Sequence, residues 1–529
     1  MKFIMKKKYL FILIVFIFLL SVAVRYWPVY HKGFTFSFES DNLILARNLA
    51  ITGEYKIDNQ KNVILSSEII KGDGIISTFG NKLTPILYAG IFKIFGFNQN
   101  FPLYISLILY GIITVLFFLI VLKLFNIWVA SIFVFIDIFS PLVMQHAVSF
   151  GGYEWAILFL AIALLLYLRK EKPGLVKLFF AGLFMALASL SRNSFLIIPI
   201  TFLVYDFIRT KSFKRLIVFV LPLLVLWGVY LGPVIFSKNA NNSYLSSEET
   251  TSAYMHIFPD SYTWNFERDE YIESIKDSDT YNYDYSQFLG KYGYSVSLKD
   301  KILMYWASII SYPKGFIAQT TFGGPIIVFL LILGGFYLYK NKKYLLGLFS
   351  LWALLTYLFL IVAKSNHWGH FIAFQFPIFL MASLGFYWIL QFIKKQEFKK
   401  YIQYLFIGGI VVTLFIHLIQ SNKWMLHENY LYTNTEKTLE LVKSIEGTQA
   451  VIDKKTDIIA VGLENPASSV LNWYTDYSFV YFAPDTVKKL LKENKLQWAF
   501  EQFNVTKIIG YDDELSNAIV KSATVDNLK

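Results

Sequence analysis

The chain has 529 residues, of which 56% are hydrophobic, 19% aromatic and only 16% charged, with a mean hydropathy of +0.48. That is more apolar surface than a water-soluble chain can bury, so a soluble globular or disordered class is excluded and a polytopic membrane protein is implied. The absence of cysteine removes disulfides, Cys-ligated zinc, iron–sulfur clusters and thiol catalysis together, and the formal charge of +12 has to be read by position before it is read as a partner.

Apolar runs long enough to cross a hydrocarbon core of about 30 Å recur along the chain. They predict about eleven spans, at 9–26, 101–122, 127–145, 153–168, 175–190, 193–208, 216–236, 324–339, 344–363, 371–393 and 401–420. The first run, with Lys6 to Lys8 before it and Ser21-Val22-Ala23 at its end, mimics a secretory signal. It stays apolar into Val24, however, and is expected to be kept as a helix. Lys and Arg cluster in MKFIMKKK, at Lys123, and in the segments 169–177, 209–215, 340–343 and 394–400, twenty basic residues against Glu171 and Glu397. These clusters alternate with the spans, which puts the N-terminus and the basic loops in the cytoplasm and the C-terminus outside. The rest of the chain is net acidic, so the positive charge reads as topology and a nucleic-acid partner is not expected.

Three outer regions remain: 27–100, 237–323 and 421–529. In the first, Asp41 to Ala50 carries an apolar pattern at Leu43, Ala46, Leu49 and Ala50, with Ser40 or Asp41 placed to cap it and Gly53 to stop it. A second amphipathic helix is predicted over Thr84 to Phe95, ending at Gly96. Both are expected to lie in the membrane interface. The second outer region is rich in tyrosine, with Tyr244, Tyr254, Tyr262, Tyr271 and Tyr281 among others. These side chains stack on sugar rings or pack the loop at headgroup level. In the third, helical and strand patterns alternate: helices at 436–445, 467–474 and 485–503, strands at 450–453, 479–482 and 506–510. A small α/β domain with a mainly parallel sheet is predicted, so that residues 1–423 form a membrane domain and 424–529 an extracytoplasmic one.

Few ionisable groups sit where chemistry at the outer surface would need them. Asp41 is either a helix-capping residue or a catalytic carboxylate. Glu154 lies at the mouth of the fourth span, where an acid usually faces a cavity or a partner; Asp137, late in the third span, is similar or pairs inside the bundle. Arg192 stands in a very short outer turn, where a guanidinium suits a lipid phosphate, although an arginine snorkelling to the surface has the same sequence. Arg25, Arg47 and Lys82 add positive charge near the same face. His367 and His370 flank another short outer turn, and His370 suits a phosphate better than the pair suits zinc.

In order along the chain, Ser40-Asp41 with Gly53-Glu54-Tyr55, Lys82 to Gly96 with Pro85, Glu154 after Ser140-Pro141, and Leu190-Ser191-Arg192 with Pro199 are similar to landmarks of the GT-C superfamily. That superfamily comprises glycosyltransferases that use polyprenyl-phosphate sugars. The chain resembles most the branch of the protein O-mannosyltransferases and the lipid A aminoarabinose transferase. It departs from that branch at Asp41-Asn42, where a second acid is common, and at His370-Phe371, where Arg-Tyr is common.

The resemblance implies a GT-C-like polytopic helical fold and an inverting transfer of one sugar from a polyprenyl-phosphate donor to an extracytoplasmic lipid, glycan or protein. Asp41 would be the general base on the acceptor hydroxyl and Glu154 its partner. Arg192, Lys82, Arg47 and His370 would hold the donor phosphate. No nucleotide is required, and a divalent metal between the two carboxylates is compatible with them. Two rivals stand beside this reading. One is an oligosaccharyltransferase or O-antigen ligase, since Asn472 to Tyr477 is loosely similar to a Trp-Trp-Asp-Tyr-Gly signature. The other is a non-enzymatic lipid or glycan transporter, which would be expected to show an internal repeat that this chain lacks.

Overall fold

The structure is a computed structural model that describes residues 7–32, 40–53, 60–64, 68–70, 83–148, 153–168, 173–236, 324–363 and 372–395, together with parts of 401–527. Most of it is a helical bundle. Helix α1 (Lys7–Lys32) is followed by α2 (Ser40–Ile51), a hairpin of β1 (Gln60–Ile64) and β2 (Glu68–Ile70), and α3 (Leu83–Phe95). The bundle continues through α4 (Phe101–Leu124), α5 (Ile127–Phe139), α6 (Pro141–Val148), α7 (Tyr153–Tyr167) and α8 (Leu175–Ser191). A 3₁₀ turn (Asn193–Leu196) leads into α9 (Ile197–Thr210) and α10 (Phe213–Phe236), and α11 (Gly324–Asn341), α12 (Lys343–Ala363) and α13 (Gln375–Lys395) follow.

These helices are apolar on both faces, as a bilayer-embedded bundle requires. In α4, Tyr110, Ile113, Phe117 and Phe118 are buried in the core, while Tyr104, Ile108 and Ile112 face outward. In α1 and α10 the outward faces carry Phe11, Phe16, Leu19, Leu224 and Val229. Among the described residues three helices are long and apolar enough to cross a membrane, against eleven spans in the sequence pattern: the stretches Lys7–Trp27, Phe101–Leu124 and Ile372–Lys394. A fourth is formed if α5 and α6 count together, but the expected single span at 127–145 is broken: the two helices meet at 60°. The cause is local. Proline disfavours the helical region for the residue before it, and Ser140, preceding Pro141, is extended at φ −66° and ψ 127°.

Close approach of helix backbones relies on small residues. Where α11 crosses α13, a Cβ on Gly334 would overlap the carbonyl of Met381, and one on Gly385 would overlap that of Leu330. At the end of the bundle that holds the start of α10, Arg215 grips Asp206 of α9 through two bonds of 2.8 and 2.9 Å and donates to the carbonyl of Pro173 at 2.7 Å.

The last part of the chain contributes β3 (Ile458–Val461), β4 (Ser478–Phe482), α14 (Pro484–Lys492), α15 (Leu496–Gln502), β5 (Lys507–Ile509), α16 (Asp513–Ser522) and β6 (Asp526–Asn527). The sheet order is β2-β1-β4-β3-β5-β6, parallel throughout except for the β1–β2 hairpin. The single helix expected over 485–503 is two helices, with Asn494 between them at φ 57°. The strand expected at 450–453 lies outside the described residues, and β3 enters at 458 instead. The two strands from the first outer loop, which pair Gln60–Val63 with Phe479–Phe482, were not anticipated from sequence.

Candidate active site

Two short helices between α1 and α4 form one wall. Helix α2 stops where Gly53 takes φ +78°, and α3 where Gly96 takes φ +80°, the left-handed conformation that glycine adopts without strain. They pack through Leu43 to Ala46 of α2 against Tyr88, Ala89 and Phe92 of α3, with Leu103 and Leu107 of α4 beneath. Asp41 falls in the first turn of α2, and its side chain lies outside the described residues. Arg47 is buried, its Nε donating to Asn48 Oδ1 at 3.3 Å.

The second wall is made by helix ends. Thr84 of α3 donates to the carbonyl of Ser191 at 3.1 Å, tying α3 to the end of α8 and so to Arg192. Glu154, in the first turn of α7, is wholly buried and accepts a 2.7 Å bond from the Tyr88 hydroxyl. A carboxylate hydrated among headgroups is thereby excluded. Its neighbour Tyr153 faces the other way: Arg192 Nη2 donates to its hydroxyl at 2.8 Å, with the guanidinium 4.2 Å from the ring centroid. The ring of His146, from α6, lies 4.3 Å from that of Tyr153. Burial first, and the charge and hydrogen bond of Glu154 next, hold the Tyr88 hydroxyl well above the ordinary tyrosine range, so it remains a donor.

The sequence-selected residues thus separate into groups. Glu154 binds Tyr88, while Arg192 binds Tyr153, the residue next to Glu154 in the chain. Lys82, His367 and His370 lie outside the described residues. Arg25 was expected to add positive charge at the outer face; it is instead fully buried and paired with Asp137 at 3.0 Å, which takes it out of any phosphate site and explains Asp137 as well. Sequence reasoning missed Tyr88, Tyr153 and His146. Of these, only Tyr153 carried a signal, its position beside Glu154. Among the described residues no group of three His, Asp or Glu side chains is arranged to hold a metal ion.

No protein-family profile and no curated relative matches the chain. Solved structures do. The oligosaccharyltransferase of Archaeoglobus fulgidus in the apo form aligns with a TM-score of 0.57 at 13% identity, over 98% of this chain and 72% of that one. The same organism's oligosaccharyltransferase AglB, in complex with an inhibitory peptide and a dolichol-phosphate, aligns with a TM-score of 0.56 at 12% identity, over 96% and 70%. The chain shares the fold of these oligosaccharyltransferases. ArnT from Cupriavidus metallidurans bound to undecaprenyl phosphate aligns at 0.46 and 9% identity, over 98% and 90%, too distant a likeness to carry an argument. Within this fold, the site described above lies where α2 and α3 meet the ends of α6, α7 and α8.

Proposed function

We propose that the chain is a membrane glycosyltransferase that moves a single sugar from a polyprenyl-phosphate carrier to an acceptor hydroxyl at the outer face of the membrane. The observation that carries this reading is the joining of a buried carboxylate, Glu154, to a guanidinium, Arg192, through adjacent residues of one helix start, with the Asp41 helix docked on the helix that supplies Tyr88. A buried carboxylate and a guanidinium carried by neighbouring helix ends suit a reaction that activates a hydroxyl and releases a phosphate.

In this mechanism Asp41 takes the proton of the acceptor hydroxyl as the oxygen attacks the anomeric carbon, and the bond to the lipid phosphate breaks on the opposite face. The configuration inverts. Arg192, held flat on Tyr153, receives the leaving phosphate, with Lys82 and His370 as further donors. Glu154, fixed by Tyr88, orients the acceptor or shares the proton load with Asp41. Residues 424–529 are read as an extracytoplasmic domain with a structural or acceptor-docking role. No step is routed through a metal, and the two carboxylates are the groups that would hold one.

The test is transfer in liposomes containing the purified protein and synthetic polyprenyl-phosphate sugars, with a panel of acceptors chosen by mass spectrometry of a deletion strain. Release of polyprenyl monophosphate by the parent, and its loss in Asp41→Asn, is the expected result. Turnover only with a pyrophosphate-linked oligosaccharide would replace this reading by the second one, an oligosaccharyltransferase, which the alignments with TM-scores above 0.5 favour. Lipid movement that survives without any transfer would make the protein a transporter.

A further inference from the structure

Asp137 sits in the interior of the bundle, where a charged side chain is costly and is retained only with partners. Those partners come from three other helices. Its Oδ2 accepts from Arg25 of α1 at 3.0 Å and from Thr114 of α4 at 2.6 Å, and its Oδ1 accepts from Gln375 of α13. Arg25 also donates to Thr114 at 3.0 Å, to Ser21, and to the backbone carbonyl of Asp137 at 3.2 Å. Ser21, Arg25, Thr114 and Asp137 are wholly buried and Gln375 nearly so. Four helices are therefore fastened three residues before the point where α5 gives way to α6 at 60°.

The other end of α6 is held by the same face of α4. Ser106, Tyr110 and Thr114 recur at a spacing of four, which aligns them along one side of a helix. Thr114 binds Asp137 before the break, and Ser106 donates to the carbonyl of Ala147 after it, at 3.0 Å. Between them the buried Tyr110 ring lies 5.5 Å from the Arg25 guanidinium. The stripe thus holds α5 before the break and the far end of α6 after it, and α6 presents His146 to Tyr153, which holds Arg192.

Holding a bundle together does not require an ion pair, since well-packed apolar side chains of similar volume replace a buried pair without loss of stability. What apolar contacts lack is direction. Resting on the transferase reading of the site, we propose that Asp137 and Arg25 are positioning residues: their hydrogen bonds set the angle between α5 and α6, and through α6 the placement of the Tyr153–Arg192 pair against the lipid phosphate.

The deciding variant is Arg25→Met/Asp137→Leu in the full chain, which has no native cysteine to interfere with labelling. Spin labels at Trp128→Cys on α5 and Gln145→Cys on α6 read the angle, and binding of undecaprenyl phosphate in nanodiscs reads the site. The double variant is expected to fold and insert with a somewhat lowered melting temperature, since Thr114 and Gln375 lose partners, to broaden or shift the label distance, and to bind undecaprenyl phosphate about tenfold more weakly, as a small misplacement of a binding group does. An unchanged label distance, or unchanged binding where the parent binds, would overturn the proposal. If the parent itself does not bind this lipid, the transferase reading fails while the label distance still decides the positioning claim. Should the double variant not insert, Thr114→Val/Gln375→Leu keeps the ion pair, removes two of its directional bonds, and is expected to move both readouts the same way.

Discussion

Tyr88 has a single useful state, protonated, because burial and the adjacent Glu154 both oppose its ionisation. Tyr88→Phe should therefore leave Glu154 without a bond it holds now, at a stability cost of about 1–3 kcal/mol measured by thermal denaturation. Transfer activity should fall more than binding does. The pH dependence follows in sign: below about pH 10 both folded and unfolded chains keep the proton and stability is flat on this account, while above it the unfolded tyrosine ionises, the folded one does not, and stability declines. Asp41→Asn should fold, insert and fail to turn over; undiminished turnover would remove it as the base. Arg192→Ala is expected to raise the donor KM by about tenfold or more while leaving the fold intact, with Arg192→Lys only partly restoring it because lysine cannot lie flat on Tyr153. Donor affinity equal to the parent's would return Arg192 to a snorkelling role.

Helices α11 and α13 meet so closely that either glycine at their crossing excludes a methyl group. Gly334→Ala and Gly385→Ala should each lower stability by about 1–3 kcal/mol through overpacking, read as a fall in melting temperature in detergent. The ends of α2 and α3 were legible in the sequence, since Gly53 and Gly96 act through their own backbone preferences, and both helices lie within a residue or so of their expected bounds. The break at Ser140 was visible as a Ser-Pro turn but was absorbed into a continuous apolar run. What was not legible depends on distant partners. Tyr88 sits in an apolar helix like any core aromatic until Glu154, 66 residues on, is placed against it. Arg25 looked like a surface charge because nothing local announces Asp137, 112 residues away.

At the scale of the whole molecule, the topology expected from the alternating basic loops places residues 421–529 on the face opposite the N-terminus. A cysteine at the exposed Ser522, in a chain that has none of its own, should react with a membrane-impermeant maleimide added to intact cells or right-side-out vesicles. Labelling only after the membrane is permeabilised would invert the topology and with it the side on which transfer is proposed. The pairing of β1 with β4 carries a consequence for how the protein is made. Strand β1 is synthesised early, yet its partner arrives about 420 residues later. The hairpin must wait, unpaired, while the helices enter the bilayer one after another, and non-local strand pairing of this kind is slow and exposed to misassembly. The first outer loop, which leaves the ribosome near the beginning, is therefore completed near the end of folding, and the Asp41 helix leads directly into it.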